Sequence, residues 1–195
     1  MLSRNPDYVD LRILGSLHFD LRYASTNNFM NKNVYGPFDV PFLHRDAAEK
    51  LKMAIHRLSE LKPGWQFLIF DALRPCSVQK LLWNFVEGTP HEAYVANPAQ
   101  GSIHSFGCAI DLTCVDEGKK EVEMGTAFDE FTEASEPQKE DELVHLGKLD
   151  PSHLQNRRIL RQSLVDSGFV SIPHEWWHFN AFPSAEVRKR FQMIE

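Results

Sequence analysis

Two short segments constrain this chain more than any other feature. The first is Ser102-Ile103-His104-Ser105-Phe106-Gly107-Cys108-Ala109-Ile110-Asp111, and the second is Glu175-Trp176-Trp177-His178. Each sets a histidine near a carboxylate. The chain holds nine histidines, so one such pairing arises by chance, and a lone His104 or His178 reads as a structural residue. Two details shift that balance. Gly107 and Ala109 leave little bulk between His104 and Asp111, so the backbone can turn tightly and aim both inward. In the second segment the acid and the histidine stand among bulky aromatics, where an unpaired charge is costly.

Together the segments supply two imidazoles and one carboxylate. His104, Asp111 and His178 suit one zinc ion per chain with a fourth position open for water, the pattern of a catalytic site rather than a structural one. The net positive charge of such a site brings the pKa of the water toward neutrality. Glu175 is then the spare carboxylate, able to take a proton and pass it to a leaving amine. A third segment, Asp71-Ala72-Leu73-Arg74-Pro75, follows an apolar run. Arg74 has two readings of equal weight here: a guanidinium that stabilises an oxyanion, or a structural ion pair with Asp71.

The three cysteines, Cys76, Cys108 and Cys114, form no CxxC pair and read as small buried thiols in a reducing compartment. A net charge of −6 argues against a nucleic-acid backbone as partner. The N-terminus has no basic segment followed by an apolar run, and no stretch is long enough to span a bilayer, so a cytoplasmic protein without a membrane partner is expected.

The chain is expected to form one domain over 1–195, with an acidic surface insertion around 115–152. That insertion reads either as a solvated appendage or as a flap beside the site. A helix is expected from Asp46 to Leu61, with Asp46 and Glu49 as a cap-like pair and Leu51, Ile55, Leu58 and Leu61 on one face. Trp65–Phe70 and Cys108–Cys114 read as strands. A second helix follows Ser77, with Val78, Leu81, Leu82, Phe85 and Val86 inward, and a third runs from Ser152 to Asp166. Arg157, Arg158 and Arg161 on that third helix are expected to face solvent or pair with acids. Phe169–Ile172 and Trp176–Phe182 read as short strands, and Ser184 opens a last helix. Helices and strands do not alternate strictly, so an α+β fold with an antiparallel central sheet and flanking helices is expected.

The pattern Ser102-x-His104-x-x-Gly107-x-Ala109-x-Asp111, followed downstream by Glu175-Trp176-Trp177-His178, resembles the D-alanyl-D-alanine dipeptidases. Leu21–Phe29, Asp71–Pro75, Met124–Asp129, Gln155–Arg158 and Ser167–Phe169 also look like segments of that family. The resemblance implies a hedgehog/DD-peptidase-like fold and a zinc site of His104, Asp111 and His178. It implies Glu175 as general base and then acid, Arg74 as transition-state stabiliser, and Asp71 as the residue that orients Arg74. Ser102 and Asp129 would hold the ammonium of a small dipeptide substrate; Asp129 also reads as a turn residue of the acidic stretch. Val34–Val40 and Cys108 depart from the family pattern. A peptidoglycan carboxypeptidase or endopeptidase of the same superfamily is the nearest alternative, and a non-catalytic zinc module a more distant one. The resemblance leaves the oligomeric state open.

Overall fold

The computed structural model describes residues 2–195. Its centre is a five-stranded sheet in the order β2-β4-β5-β7-β6. The strands are β2 (Leu17–Phe19), β4 (Gln66–Asp71), β5 (Ala109–Val115), β6 (Val170–Ser171) and β7 (His178–Asn180). A two-stranded ribbon, β1 (Tyr8–Asp10) with β3 (Phe42–His44), stands beside it. The helices are α1 (Arg45–Leu61), α2 (Cys76–Val86), α3 (Glu140–His145), α4 (Pro151–Val165) and α5 (Ser184–Arg190).

The sheet is mixed, which corrects the expected antiparallel arrangement at one edge. β2 runs parallel to β4, while β4–β5, β5–β7 and β7–β6 are antiparallel. A parallel pair needs a long crossover, and the chain between β2 and β4 supplies it through β3 and α1. β5 is the middle strand and is buried along its whole length, which explains its continuous run Ala-Ile-Asp-Leu-Thr-Cys-Val. β4 departs from regular pairing once. Ile69 faces Leu112, but Asp71 rather than Phe70 faces Asp111. One extra residue in β4 therefore brings a carboxylate, not an aromatic ring, opposite Asp111.

α1 forms where expected, with Leu51, Leu58, Ala47, Ala48 and Ala54 buried. Its cap differs. The ring Nδ1 of His44 accepts the Asp46 N–H at 3.2 Å, because β3 runs straight into α1 and leaves its last residue in the capping position. Glu49 pairs instead with Lys52. α1 packs on β4 and against α4, and α4 reaches β6, so the two helices share one side of the sheet. On α2, Val78, Leu82 and Val86 are buried, but Leu81 and Phe85 are exposed. The inward face takes Gln79 instead, because that amide has partners at the site.

The acidic stretch is folded against the body. Arg157 is 1% exposed and donates to the carbonyls of Met124 and Ala134 at 2.7 and 2.8 Å. Glu140, also buried, accepts from Arg161 at 2.7 Å and from Arg157 at 3.4 Å. Arg158 pairs with Asp141 on the surface. The arginines of α4 thus pair with acids, and one of them is the internal clamp for the insertion. All three cysteines are free and buried. No helix among the described residues is long and apolar enough to cross a membrane.

Candidate metal and catalytic site

Three adjacent strands line up the central residues. Asp111 on β5 is in register with Asp71 on β4 and with His178 on β7. Side chains opposite one another in a sheet lie about 5 Å apart at Cβ, so this row forms a compact polar floor. His104 reaches it from a 3-10 turn, Ile103–Phe106. The Ser102 hydroxyl opens that turn by accepting the His104 N–H, and Gly107 closes it at φ 66°. A Cβ on Gly107 would stand 2.9 Å from the His44 backbone nitrogen, so the turn can pass β3 only with glycine.

The ligand atoms of His104, Asp111 and His178 all lie within 4.8 Å of one another, and the three residues are buried. His178 Nδ1 is 2.9 Å from Asp111 Oδ1, His104 Nε2 is 3.3 Å from Asp111 Oδ2, and the two ring nitrogens are 3.2 Å apart. The far side of each ring is occupied. His104 Nδ1 donates to the Ala72 carbonyl at 2.6 Å, and His178 Nε2 donates to Asn180 Oδ1 at 2.9 Å. With those protons placed outward, neutral rings turn two lone pairs and a carboxylate on one point. Three acceptors cannot satisfy one another, whereas a cation satisfies all three. The donor set therefore fits a divalent metal, and the outward bonds are those that fix a ligand histidine's tautomer and orientation. Burial alone would raise the Asp111 pKa, but the two imidazoles outweigh it and hold this carboxyl well below its usual range.

Glu175 comes from the turn that precedes β7. Its carboxylate is 3.8 Å from His178 Nδ1, beside the donor set rather than within it. Burial pushes its pKa up to about 8, with Asp111 and Asp129 adding to the rise and His178 opposing it. Arg74 is 7% exposed and held from two sides. Its Nε and Nη2 meet Asp71 Oδ2 at 2.8 and 2.6 Å, and its Nη1 donates to Gln79 at 3.0 Å. Its guanidinium lies 4.7 Å from the Tyr23 ring centroid and 3.5 Å from Asp111 Oδ2. The ion pair and the site-facing position, set against each other in the sequence, coexist: Asp71 holds the group that lines the cavity.

That cavity is about 240 Å³ and is lined by all three donors, Glu175, Arg74, Ser102 and Asp129. It is smaller than a drug-sized pocket, which begins at about 300 Å³. Asp129 adopts φ 60° and accepts the Tyr23 hydroxyl on both oxygens at 3.0 and 3.2 Å. Burial, with Asp111 next, raises its pKa to about 8. Phe131 and Tyr94 stack at 4.8 Å along one wall, so part of the acidic stretch borders the site.

Three supporting side chains were not read from the sequence. Gln79 anchors Arg74 and donates to the Ala96 carbonyl at 2.7 Å. Asn180 orients His178. The Tyr35 hydroxyl donates to Asp71 from within Val34–Val40, the stretch that departs from the family pattern. Asn180 had a signal, since it lies two residues from His178 on the same strand face. Gln79 had one too, a polar residue on the apolar face of a helix.

A family model described as D-ala-D-ala dipeptidase matches residues 5–194. A D-alanyl-D-alanine dipeptidase of Escherichia coli (strain K12) is 35% identical over 179 residues, covering 91% of this chain and 86% of that protein. One from Enterococcus faecalis (strain ATCC 700802 / V583) is 30% identical, covering 86% of this chain and 87% of that protein. One from Synechocystis sp. (strain ATCC 27184 / PCC 6803 / Kazusa) is 28% identical, over 71% of this chain and 68% of that protein.

Proposed function

The chain belongs to the D-ala-D-ala dipeptidase family, and on that premise we propose that it cleaves free D-alanyl-D-alanine, with Glu175 and Arg74 as its catalytic residues. It is a metallopeptidase, and metal-dependent hydrolysis of a short dipeptide is its activity. The observation that carries the residue assignment is the convergence of three buried acceptors, His104, Asp111 and His178, with one carboxylate beside them that joins no donor set. Two nitrogens and one carboxylate oxygen are the ligand types of a catalytic zinc site, so we assign one zinc ion per chain. The chemistry the ion supplies is Lewis-acid activation of water and of the scissile carbonyl.

Glu175 takes the proton of the attacking water and returns it to the leaving amine. Its raised pKa suits the second half of that task, because a carboxyl that holds its proton near neutrality is a usable acid. Arg74 faces the cavity with its orientation set by Asp71 and Gln79, so stabilising the oxyanion costs little reorganisation. Asp129, raised and neutral-prone when the cavity is empty, becomes a good partner for a substrate ammonium, which restores its charge. The Ser102 hydroxyl lines the same space and adds an acceptor for that ammonium.

The mixed sheet with helices packed beside it supports a hedgehog/DD-peptidase-like fold. Strands from both halves of the sequence share that sheet, which supports a single domain over 1–195. Buried free thiols support a cytoplasmic setting. The test is a panel of DD, LD, DL and LL alanine dipeptides and a muropeptide, run with zinc-loaded and chelated protein. Zinc-dependent release of alanine from the DD dipeptide is expected. Cleavage of the muropeptide alone transfers the chain to wall-peptide processing, and no cleavage of any dipeptide at full zinc occupancy overturns the reading.

A further inference from the structure

A free dipeptide is a zwitterion. Asp129 and Ser102 provide for its ammonium, and nothing assigned so far provides for its carboxylate. Two cations line the cavity, Arg74 and Arg188. Arg74 already carries Asp71 as its counter-ion. Arg188, on α5, is different. Its Nε donates to the Gln100 carbonyl and its Nη2 to the Gly101 carbonyl, both at 3.1 Å, and its Nη1 to the Ser184 carbonyl at 3.3 Å. Among the described residues no carboxylate pairs with it, although Arg190 on the same helix pairs with both Glu186 and Asp46.

The three carbonyls fix the guanidinium in one place without neutralising it. A guanidinium has five N–H groups, so two remain for a ligand, in the fork geometry that suits a carboxylate. The clamp is built into the backbone. Gly101 adopts φ 73°, and a Cβ there would strike the Met193 sulfur at 2.3 Å, so the turn that presents the Gln100 and Gly101 carbonyls admits only glycine without displacing Met193. Ser102 and then the donor His104 follow directly, so the clamp and the metal donors share one short stretch of chain. Asp129 and Arg188, which both line the cavity, also rest on different parts of the molecule. Asp129 is held by Tyr23 of the main core. Arg188 rides on α5, whose Val187 packs in the separate cluster of Ile103 and Phe106.

We propose that Arg188 binds the substrate's C-terminal carboxylate and so gives the enzyme a preference for dipeptides with a free C-terminus. The inference rests on the dipeptidase reading and deepens it. Arg188 is a binding residue, so its removal acts on KM more than on kcat.

The test compares D-alanyl-D-alanine with its C-terminal amide, using zinc-loaded wild type and Arg188→Gln. The wild type is expected to prefer the free acid. Arg188→Gln is expected to raise KM for the free acid by about tenfold to a hundredfold, the range for losing a charge-assisted pair, while leaving KM for the amide within about twofold. Arg188→Lys, which keeps the charge and loses the fork, is expected to recover part of the lost affinity. Equal weakening of acid and amide means that Arg188 only braces the Gln100–Gly101 turn, and overturns the proposal. An unchanged KM for the free acid also overturns it and leaves the dipeptidase reading standing. A wild type that cleaves neither substrate overturns both.

Discussion

The donor cluster and the wall of the cavity are built in opposite ways. His178, Asp111 and Asp71 stand in one row across three hydrogen-bonded strands, and His104 is tied to the exit of β4 through the Ala72 carbonyl. The wall is made of side chains on loops and helix ends: Asp129 in a left-handed turn, Phe131 stacked on Tyr94, and Arg188 clamped by carbonyls. Strand pairing fixes relative positions tightly, whereas loops tolerate change. Two of the three candidate donors, Asp111 and His178, thus stand on paired strands, whereas the residues proposed to choose the substrate stand on the adjustable part.

The sharpest attack on that division is Glu175→Gln. It removes the proposed base and leaves the three donors intact, so kcat is expected to fall by about 10²–10⁴-fold while zinc content, read by elemental analysis, is expected to match that of the wild type. Loss of zinc would mean that Glu175 belongs to the donor set. Arg74→Lys is next. A point charge replaces a fork held by Asp71 and Gln79, and kcat is expected to drop by about 10²-fold with KM changing less. Gln79→Leu removes the charge-assisted bond at Arg74 Nη1 and leaves those to Asp71, and a loss of about tenfold in kcat, the low end for a hydrogen bond to a charged group, is expected.

On the wall, Asp129→Asn is expected to raise KM by about tenfold with kcat nearly kept; a kcat loss equal to that of Glu175→Gln would erase the distinction between the regions. The same variant has a signature without substrate. In the metal-free protein Asp129 holds its proton up to about 8, whereas in the unfolded chain a carboxyl releases it near about 4. The folded state therefore binds more protons between these values, and its stability falls as pH rises from about 4 to about 8, then levels off. Thermal unfolding of metal-free wild type and Asp129→Asn across that window should show a shallower fall in the variant. Parallel curves would remove Asp129 from the account.

The same division explains what the sequence disclosed. The donors, Glu175 and Asp71–Arg74 lie in short segments whose chemistry is visible locally, because histidines and acids among apolar residues need partners. α1, α4 and the central strands are legible from periodicity and stop signals. The parallel pairing of β2 was not, since it is decided by the crossover through α1 rather than by any residue in β2. The roles of Tyr35 and Arg188 were not legible either. Each depends on a partner brought close only by tertiary packing, Asp71 for one and the Gln100–Gly101 carbonyls for the other. Leu81 and Phe85, expected inward, are exposed, and the buried face of α2 carries Gln79, whose partner Arg74 is likewise brought close only by the fold.

The pairing of β7 beside β5 also has a consequence for biosynthesis. His104 and Asp111 are neighbours in the chain, but His178 joins them only when the penultimate structural element docks. A partly synthesised chain therefore offers two of the three donors and holds a divalent ion weakly. With His178 as the third donor, full affinity would arrive when β7 pairs with β5, and from then on the ion would stabilise only the finished fold, by an amount that grows with the logarithm of its concentration over Kd. On the proposed donor set, metal capture would be a late event that rewards completion, and a chain arrested before β7 would lack the third donor and the ion's protection against unfolding.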